Sequence, residues 1–512
     1  MLTPMRFFDR RPPCLLLALI VPAYLLTGVL YAMGTPAWQA PDEPAHYNYV
    51  RYLAENSQFP VLRHGDYPHA YLEQIKSARF PPDMPVEPIR YEFWQPPLYY
   101  MLATPVFRLF DGALLPLRLL SVALGAGVVV VAYAIALAAR PGDTALALGT
   151  SAFVAFVPMH LTMMASVNND SLAELLLVLV MLRLIRLASK PAEKDRALSR
   201  PSYLLVTGSL LGLGLVTKAT VYVAIPLALI TLLLSESRPL LLARRVVTLF
   251  GPALALAIPW YARNIAVYGW PDLLGTRNHD AVVVGQLRTA DYLARIGWAT
   301  YLKNFITTSF HSFWGQFGWM AVPMDRRIYL VLGLLSALTV AGCVLAILAA
   351  MQQKGPAQTQ TAPMVDQEGA KVSKLSGADS LLALWLIFTG LVYLYYNASL
   401  VQFQGRYLFP GLVPISLLGM LGLRRILSRP WAWVGAGICG FAAMVIGVGS
   451  ALGGSLDKWG LVIAGGATLV LILRRWLPAR LDGWVVAAPL AGLAGLSVYS
   501  LFAFIVPYLA YR

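Results

Sequence analysis

The sequence predicts an all-α, polytopic membrane protein, and three observations predict it. Of 512 residues, 58% are hydrophobic and only 13% are charged, a larger apolar share than a soluble domain carries. A bilayer core about 30 Å thick takes roughly 20 apolar residues per helix, and stretch after stretch of the chain meets that length. Between those stretches the basic residues fall on alternate loops, as the positive-inside rule expects of a multi-pass protein.

In chain order, spans are expected at 14–33, 114–138, 145–163, 172–188, 202–217, 219–235, 245–262, 328–350, 380–397, 407–423, 431–450, 459–474 and 484–508, about thirteen in all. The two segments around Val216-Thr217-Lys218-Ala219 are short and nearly fused; read as one helix, they would invert everything downstream. Arg6, Arg10 and Arg11 precede the first span. Arg183, Arg186, Lys190, Lys194, Arg196 and Arg200 follow the fourth, and Arg238, Arg244 and Arg245 precede the seventh. Arg424, Arg425 and Arg429 follow the tenth, and Arg474, Arg475 and Arg480 the twelfth. All land on one side, which the rule makes cytoplasmic, with the N-terminus inside and the C-terminus outside. Much of the net charge of +15 then faces anionic lipid, which explains it without nucleic acid. The N-terminal order of Arg-rich, apolar and small-residue zones also fits a cleaved signal peptide, but the apolar run is too long, and it reads as a membrane helix. Cys14, Cys343 and Cys439 lie within apolar spans and read as small core residues, not as a disulfide framework or metal site.

Two long segments, 34–113 and 263–327, face outward in this topology. In the first, Pro44 through Ala54 and Pro96-Pro97 through Phe110 suit two helices lying along the interface, joined by an excursion that Pro60, Pro68, Pro81, Pro82, Pro85 and Pro88 keep irregular. The second holds the aromatic run Phe310-His311-Ser312-Phe313-Trp314-Gly315-Gln316-Phe317-Gly318-Trp319, open to reading as an interfacial belt or as the wall of a groove. Residues 352–379, rich in Gln, Thr, Ala, Gly and Lys, read as a flexible cytoplasmic linker between a front module, 1–351, and a rear module, 380–512.

The chemistry-bearing residues gather at the outer edge. Pro41-Asp42-Glu43-Pro44 puts adjacent carboxylates directly after the first span. Ionisable groups beside hydrocarbon persist when they pair, bind or react. One acid would suffice to cap a helix; two in a row, framed by prolines, point to function. Asp170 sits in a short outer turn before the fourth span, either as a helix cap or as a partner in the same site. His46 lies one helical turn after Asp42. Lys218, Arg263 and Arg406 stand on the side where cations are disfavoured. Snorkelling accounts for long basic side chains at an interface, yet Arg406, at the outer start of the tenth span, would join helix amides in favouring a phosphate. Asp42, Glu43 and Asp170 offer oxygen ligands to a divalent metal, a question their spacing leaves open.

Together these residues resemble the GT-C class of polyprenyl-phosphate-sugar glycosyltransferases, particularly glycosyltransferase family 39, with its protein O-mannosyltransferases and bacterial aminoarabinose-lipid A transferases. The likeness rests on Pro41-Asp42-Glu43, Phe93-Trp94-Gln95-Pro96-Pro97-Leu98-Tyr99-Tyr100, Asn169-Asp170, Gly214-Leu215-Val216-Thr217-Lys218, Pro259-Trp260 and Arg406-Tyr407-Leu408-Phe409-Pro410, in that order. The sequence also looks like a bacterial family of predicted membrane proteins of unknown function that shares the Asp-Glu-Pro and Gly-Arg-Tyr-Leu-Phe-Pro signatures. The resemblance implies a GT-C fold in a bacterial plasma membrane, with an outward-facing site that moves sugar from a polyprenyl-phosphate donor to a hydroxyl of protein, lipid or polysaccharide. It implies Asp42 as general base with Glu43 in support, Asp170 orienting a sugar, and Tyr99 and Tyr407 lining the site. Gln95 stands where relatives carry Lys or His, so Arg406, Arg263 or Lys218 must supply the phosphate's countercharge. Two rival readings share these features: a transporter or flippase for a lipid-linked saccharide, and a non-catalytic partner that binds one. The first is weakened because no internal repeat is visible and the charges gather at the surface rather than deep in the spans.

Overall fold

The computed structural model describes residues 13–189, 200–352 and 376–511. Within them the protein is helical almost throughout, with one small ribbon, Gln316–Phe317 paired antiparallel with Val322–Pro323. Helix α1 (Pro13–Gly34) delivers the chain to the Pro41-Asp42-Glu43 turn, after which α2 (Glu43–Asn56), α3 (His69–Ser77) and α4 (Leu98–Leu109) build the first segment expected to face outward. The front bundle follows as α5 (Leu114–Ala139), α6 (Thr144–Phe156), α7 (Pro158–Met164), α8 (Asp170–Ser189), α9 (Pro201–Leu215), α10 (Ala224–Ser235) and α11 (Pro239–Tyr268). Helices α12 (Thr276–Val282) and α13 (Thr289–Trp314) form the second of the two long segments expected to face outward. The chain continues as α14 (Arg326–Gln352), α15 (Gly377–Ser399), α16 (Leu412–Ile426), α17 (Ala432–Leu452), α18 (Lys458–Leu473) and α19 (Asp482–Ser500).

Each expected span coincides with helix. By length and composition eight helices qualify as membrane-crossing, or nine if the bent pair α6–α7 is one span, while Pro201–Leu215, Ala219–Ser235 and Lys458–Leu473 are shorter apolar helices. Helix α8 is long enough but carries Asp170, Glu174, Arg183 and Arg186. The protein is integral to the membrane. The doubtful stretch at 216–219 is a genuine break, with α9 ending at Leu215 and a 3-10 turn, Ala219–Val223, leading into α10. The two helices expected in the first outer segment are α2 and α4, packed on each other; the excursion between them also contains α3. Most of the expected linker at 352–379 lies outside the described residues, and its last part already belongs to α15.

The aromatic run of the second segment is packed inward. Trp314 is buried against Phe153 and Phe313, Phe313 meets Phe409, and His311 stacks on Tyr329 with ring centres 3.7 Å apart. Neither an interfacial belt nor a groove wall is needed to account for them.

The 66° bend between α6 and α7 has an identifiable cause. Pro158 lacks the N–H that would bond the carbonyl four residues back, so the Val154 oxygen is released inside the bundle. His160 Nδ1 donates to that oxygen at 2.9 Å, and its Nε2 meets Glu174 Oε2 at 3.0 Å on α8. Elsewhere small residues let backbones touch, as membrane helices do where apolar burial drives nothing. A Cβ at Gly208 on α9 would lie 1.8 Å from the Leu249 carbonyl oxygen on α11, and one at Gly342 on α14 would lie 1.9 Å from the Gly422 oxygen on α16.

Helix α16 also orients the bundle. It descends from the turn that carries Arg406 to a far end where Arg424 pairs with Asp143 at 2.6 Å, in the layer where Arg140 pairs with Asp379. Gly208→Ala should lower the midpoint of thermal unfolding in detergent by the equivalent of about 1–3 kcal/mol, because the rigid carbonyl cannot yield. Gly251→Ala, at a position with open space around it, should not; equal behaviour of the two variants would refute the close α9–α11 crossing.

Candidate active site

The end of α1, the start of α8, the end of α9 and the turn before α16 meet in one layer, and there the charged residues converge. Asp42 occupies the N-cap position of α2 but does not cap it. Its backbone is left-handed, with φ 68° and ψ −7°, a conformation that costs a non-glycine residue about 1 kcal/mol or more. The twist turns the carboxylate away from the helix amides. Oδ2 accepts from Arg406 Nη2 at 2.7 Å and Oδ1 from the Tyr91 hydroxyl at 2.8 Å. Burial pushes this carboxyl up, but the Arg406 guanidinium and the hydrogen bonds outweigh it and hold it at about 2.

Arg406 is buried, and its other nitrogens are also engaged. Nε donates to Gln404 Oε1 at 2.7 Å, and Nη1 faces the Met163 sulfur at 3.7 Å. The guanidinium lies over the Tyr407 ring, 5.2 Å from its centre. The preceding glycine seats this turn: a Cβ on Gly405 would come within 2.3 Å of the Ser309 carbonyl oxygen on α13, and its N–H donates to Ser312 Oγ at 2.7 Å.

A second pair stands beside the first. Lys218 Nζ lies 2.7 Å from Asp170 Oδ1. Asp170 does not cap α8 either; its N–H is taken by Asn168 Oδ1 at 2.9 Å. The side chains of Asp42 and Asp170 each keep 26% exposure, which leaves both reachable. His46 hydrogen-bonds the Tyr100 hydroxyl through Nδ1 at 2.8 Å. Burial, then the Lys218 charge, push its imidazole down to about 3, so it stands here as a neutral group.

Glu43 has a different fate from its neighbour. Fully buried, it receives Arg118 Nε at 2.8 Å and the Val167 N–H at 3.1 Å on one oxygen. The other receives Arg118 Nη2 at 2.6 Å and the Trp38 N–H at 3.1 Å. Four donors occupy it, so the structure makes Glu43 a structural anchor where the sequence suggested a second reacting acid.

Of the other expected residues, Gln95 is buried and joins the cluster as a link, with Oε1 accepting from Asn169 Nδ2 at 3.3 Å. Tyr99 is buried and its hydroxyl bonds Ser121 Oγ on α5 at 2.9 Å. Arg263 is not brought in: it binds the Pro60 carbonyl and Asn264 Oδ1 and lies over Trp260. Among the described residues no three His, Cys, Asp or Glu side chains converge as metal ligands; Asp42, Glu43 and Asp170 each face a cation instead.

Three residues of the site went unseen in the sequence. Tyr91 binds Asp42. Arg118 was hidden in an apolar run, although a lone arginine within a span is itself a signal. Glu92 lies directly before the Phe93-Trp94-Gln95-Pro96 motif, and its Oε2 is buried without a hydrogen-bond partner. Burial, with Asp42 adding to it, pushes this carboxyl up to about 7 against the pull of Lys218 and Gln95.

A family profile described as a predicted membrane protein, DUF2142, matches residues 91–415. No curated protein matches the sequence. The crystal structure of ArnT from Cupriavidus metallidurans in the apo state is similar at 14% identity and a TM-score of 0.54, over 94% of this chain and 76% of that one. The same protein bound to undecaprenyl phosphate gives 15% identity and a TM-score of 0.53, over 95% and 77%. This likeness shows the fold, which is that of the GT-C class.

Arg118→Met would leave Glu43 buried without its cation, a loss expected at about 3–5 kcal/mol. It should appear as a large fall in the thermal midpoint that the double variant Arg118→Met/Glu43→Leu partly restores. An unchanged midpoint in the single variant would remove the anchor.

Proposed function

The chain belongs to the DUF2142 family of predicted membrane proteins, and from that premise we propose that it is a glycosyltransferase, moving a sugar from a polyprenyl-phosphate donor to an acceptor hydroxyl on the extracytoplasmic side. The observation that carries this reading is the convergence of two carboxylate–cation pairs, Asp42 with Arg406 and Asp170 with Lys218, at one end of a GT-C bundle. The fold-matched ArnT structure bound to undecaprenyl phosphate supports the donor class. The arginine-rich far layer, cytoplasmic by the positive-inside rule, supports an outward site.

In this reading the acceptor oxygen attacks the anomeric carbon from the face opposite the phosphate. Its O–H bond breaks as the new C–O bond forms, the old bond from carbon to phosphate oxygen breaks, and the electron pair leaves with the phosphate. Configuration inverts. The phosphate competes with Asp42 for Arg406 Nη2, so donor binding frees the carboxylate to take the hydroxyl proton. A carboxylate so placed is worth roughly 10²- to 10⁴-fold in rate. Arg406 and Lys218 then meet the charge growing on the leaving phosphate, held in place in advance. Asp170 keeps Lys218 in position and orients a sugar hydroxyl, Tyr407 and the neutral His46 shape the pocket floor, and Glu43 fixes the turn on which Asp42 stands.

Purified protein in lipid nanodiscs should release sugar from at least one of a panel of radiolabelled polyprenyl-phosphate sugars. Asp42→Asn should cut turnover by roughly 10²-fold or more while donor binding persists. Equal turnover in both would remove Asp42 from catalysis; donor binding with no turnover by either would favour a transporter or a binding partner.

A further inference from the structure

We propose that Glu92 is the group on which the acceptor's proton comes to rest during transfer, an assignment that rests on reading the site as a transferase. Four observations converge on it. Asp42, Asp170 and Glu43 each face a cation at 2.7 Å or less, whereas among the described residues Glu92 has no ion pair. One of its oxygens is buried and unpartnered, an arrangement that is expensive for a carboxylate and cheap for a carboxylic acid, which supplies its own donor. The group lies within electrostatic reach of the residues that hold the reaction, Asp42, Asp170 and Lys218, and Tyr91, Tyr100 and Tyr396 are among the titratable groups around it. Its position is tied to Gln95, whose backbone N–H donates to the Glu92 carbonyl oxygen at 3.0 Å and whose side chain accepts from Asn169 on the turn before α8.

Charge balance gives the assignment its logic. With His46 neutral, the three acids Asp42, Glu92 and Asp170 face the two cations Arg406 and Lys218, so the site carries one negative charge in excess when Glu92 is ionised. The donor arrives as a phosphodiester with a single negative charge. It departs as a phosphomonoester that has gained another, while the acceptor has lost a proton. If the proton passes from the hydroxyl to Asp42 and on to Glu92, the total charge of the buried site is the same before and after the step. Asp42 is a poor place for the proton to stay, because Arg406 favours its ionised form as soon as the two can pair again. Glu92, pushed up to about 7 by burial and by Asp42, is a good one near neutrality and can also release it.

The test uses Glu92→Gln and Glu92→Asp in the nanodisc system. The native enzyme's kcat/KM should rise with pH through a midpoint near 7, since only ionised Glu92 can accept. Glu92→Gln should lose roughly 10²-fold in turnover together with that limb, keep its donor affinity, and be partly rescued in Glu92→Asp. A stability readout runs independently of turnover. Because the folded pKa is raised, from 4.5 to about 7, the folded state between those values holds a proton that the unfolded chain has shed, and stability falls as pH rises across the window. Glu92→Gln should therefore gain in thermal midpoint relative to the native protein from pH 4.5 to 7. Transfer whose pH profile is unchanged in Glu92→Gln, or a Glu92→Gln variant that loses donor binding with turnover, overturns the Glu92 assignment alone. A native protein that transfers no sugar to any acceptor overturns the transferase reading and the assignment with it.

Discussion

The buried ion pair of Glu43 with Arg118 sets the geometry of the site end of the bundle. Arg118 stands on α5 and, besides the carboxylate, donates to the carbonyl oxygens of Ala32, Thr35 and Pro36 at the end of α1, at 2.9, 2.7 and 3.3 Å. Glu43 in turn takes the N–H of Val167, on the turn before α8. Both charges are almost fully removed from solvent, at 4% and 0% exposure. Such burial is tolerated only when nearly every donor and acceptor is matched, as it is here. The consequence is geometric: α1, α2, α5 and the α7–α8 turn cannot shift independently, and Asp42, one peptide away from Glu43, inherits that rigidity.

This explains why two consecutive acids do different things. Glu43 starts a helix and points into protein; Asp42, just before it, has the left-handed backbone that aims its carboxylate elsewhere. Helix capping, which predicts that an acid at this position binds free amides, loses to a tertiary guanidinium. At Asp170 too the carboxylate pairs with a distant cation, Lys218, while its own backbone N–H donates to Asn168 Oδ1. In both places a local rule is broken beside an intact scaffold, the pattern expected where strain and unusual pairing serve a site.

Much of this was legible from the sequence because it depends on local pattern. Apolar runs gave the helices, prolines placed α2 and α4 in the first outer segment, and charge at the outer edge picked out Asp42, Asp170, Lys218, His46 and Arg406. What was not legible depends on partners far apart in the chain. Arg118 binds a residue 75 positions away, and Tyr91 one 49 positions away. Glu92 is distinguished only by what it lacks, a cation, and an absence of pairing has no sequence signature. For Arg263 and Tyr99 residue type and motif suggested substrate contacts, and in the structure the Pro60 carbonyl and Ser121 Oγ are among their partners.

The bend at Pro158 shows that hydrogen-bond arithmetic also constrains protons inside the bundle. The Val154 carbonyl can only accept, so the proton of that contact sits on His160 Nδ1. The other ring nitrogen, Nε2, lies 3.0 Å from a carboxyl oxygen of Glu174 on α8. This contact ties α7 to α8, and the helix it steadies carries Met163, which faces Arg406. The reactive end is thus braced twice, by Glu43 with Arg118 across α1, α2 and α5, and by His160 with Glu174 beneath the guanidinium. Between these braces the pairs at Asp42 and Asp170 keep part of their surface exposed, so a bound phosphate can exchange partners with them while the scaffold stays still.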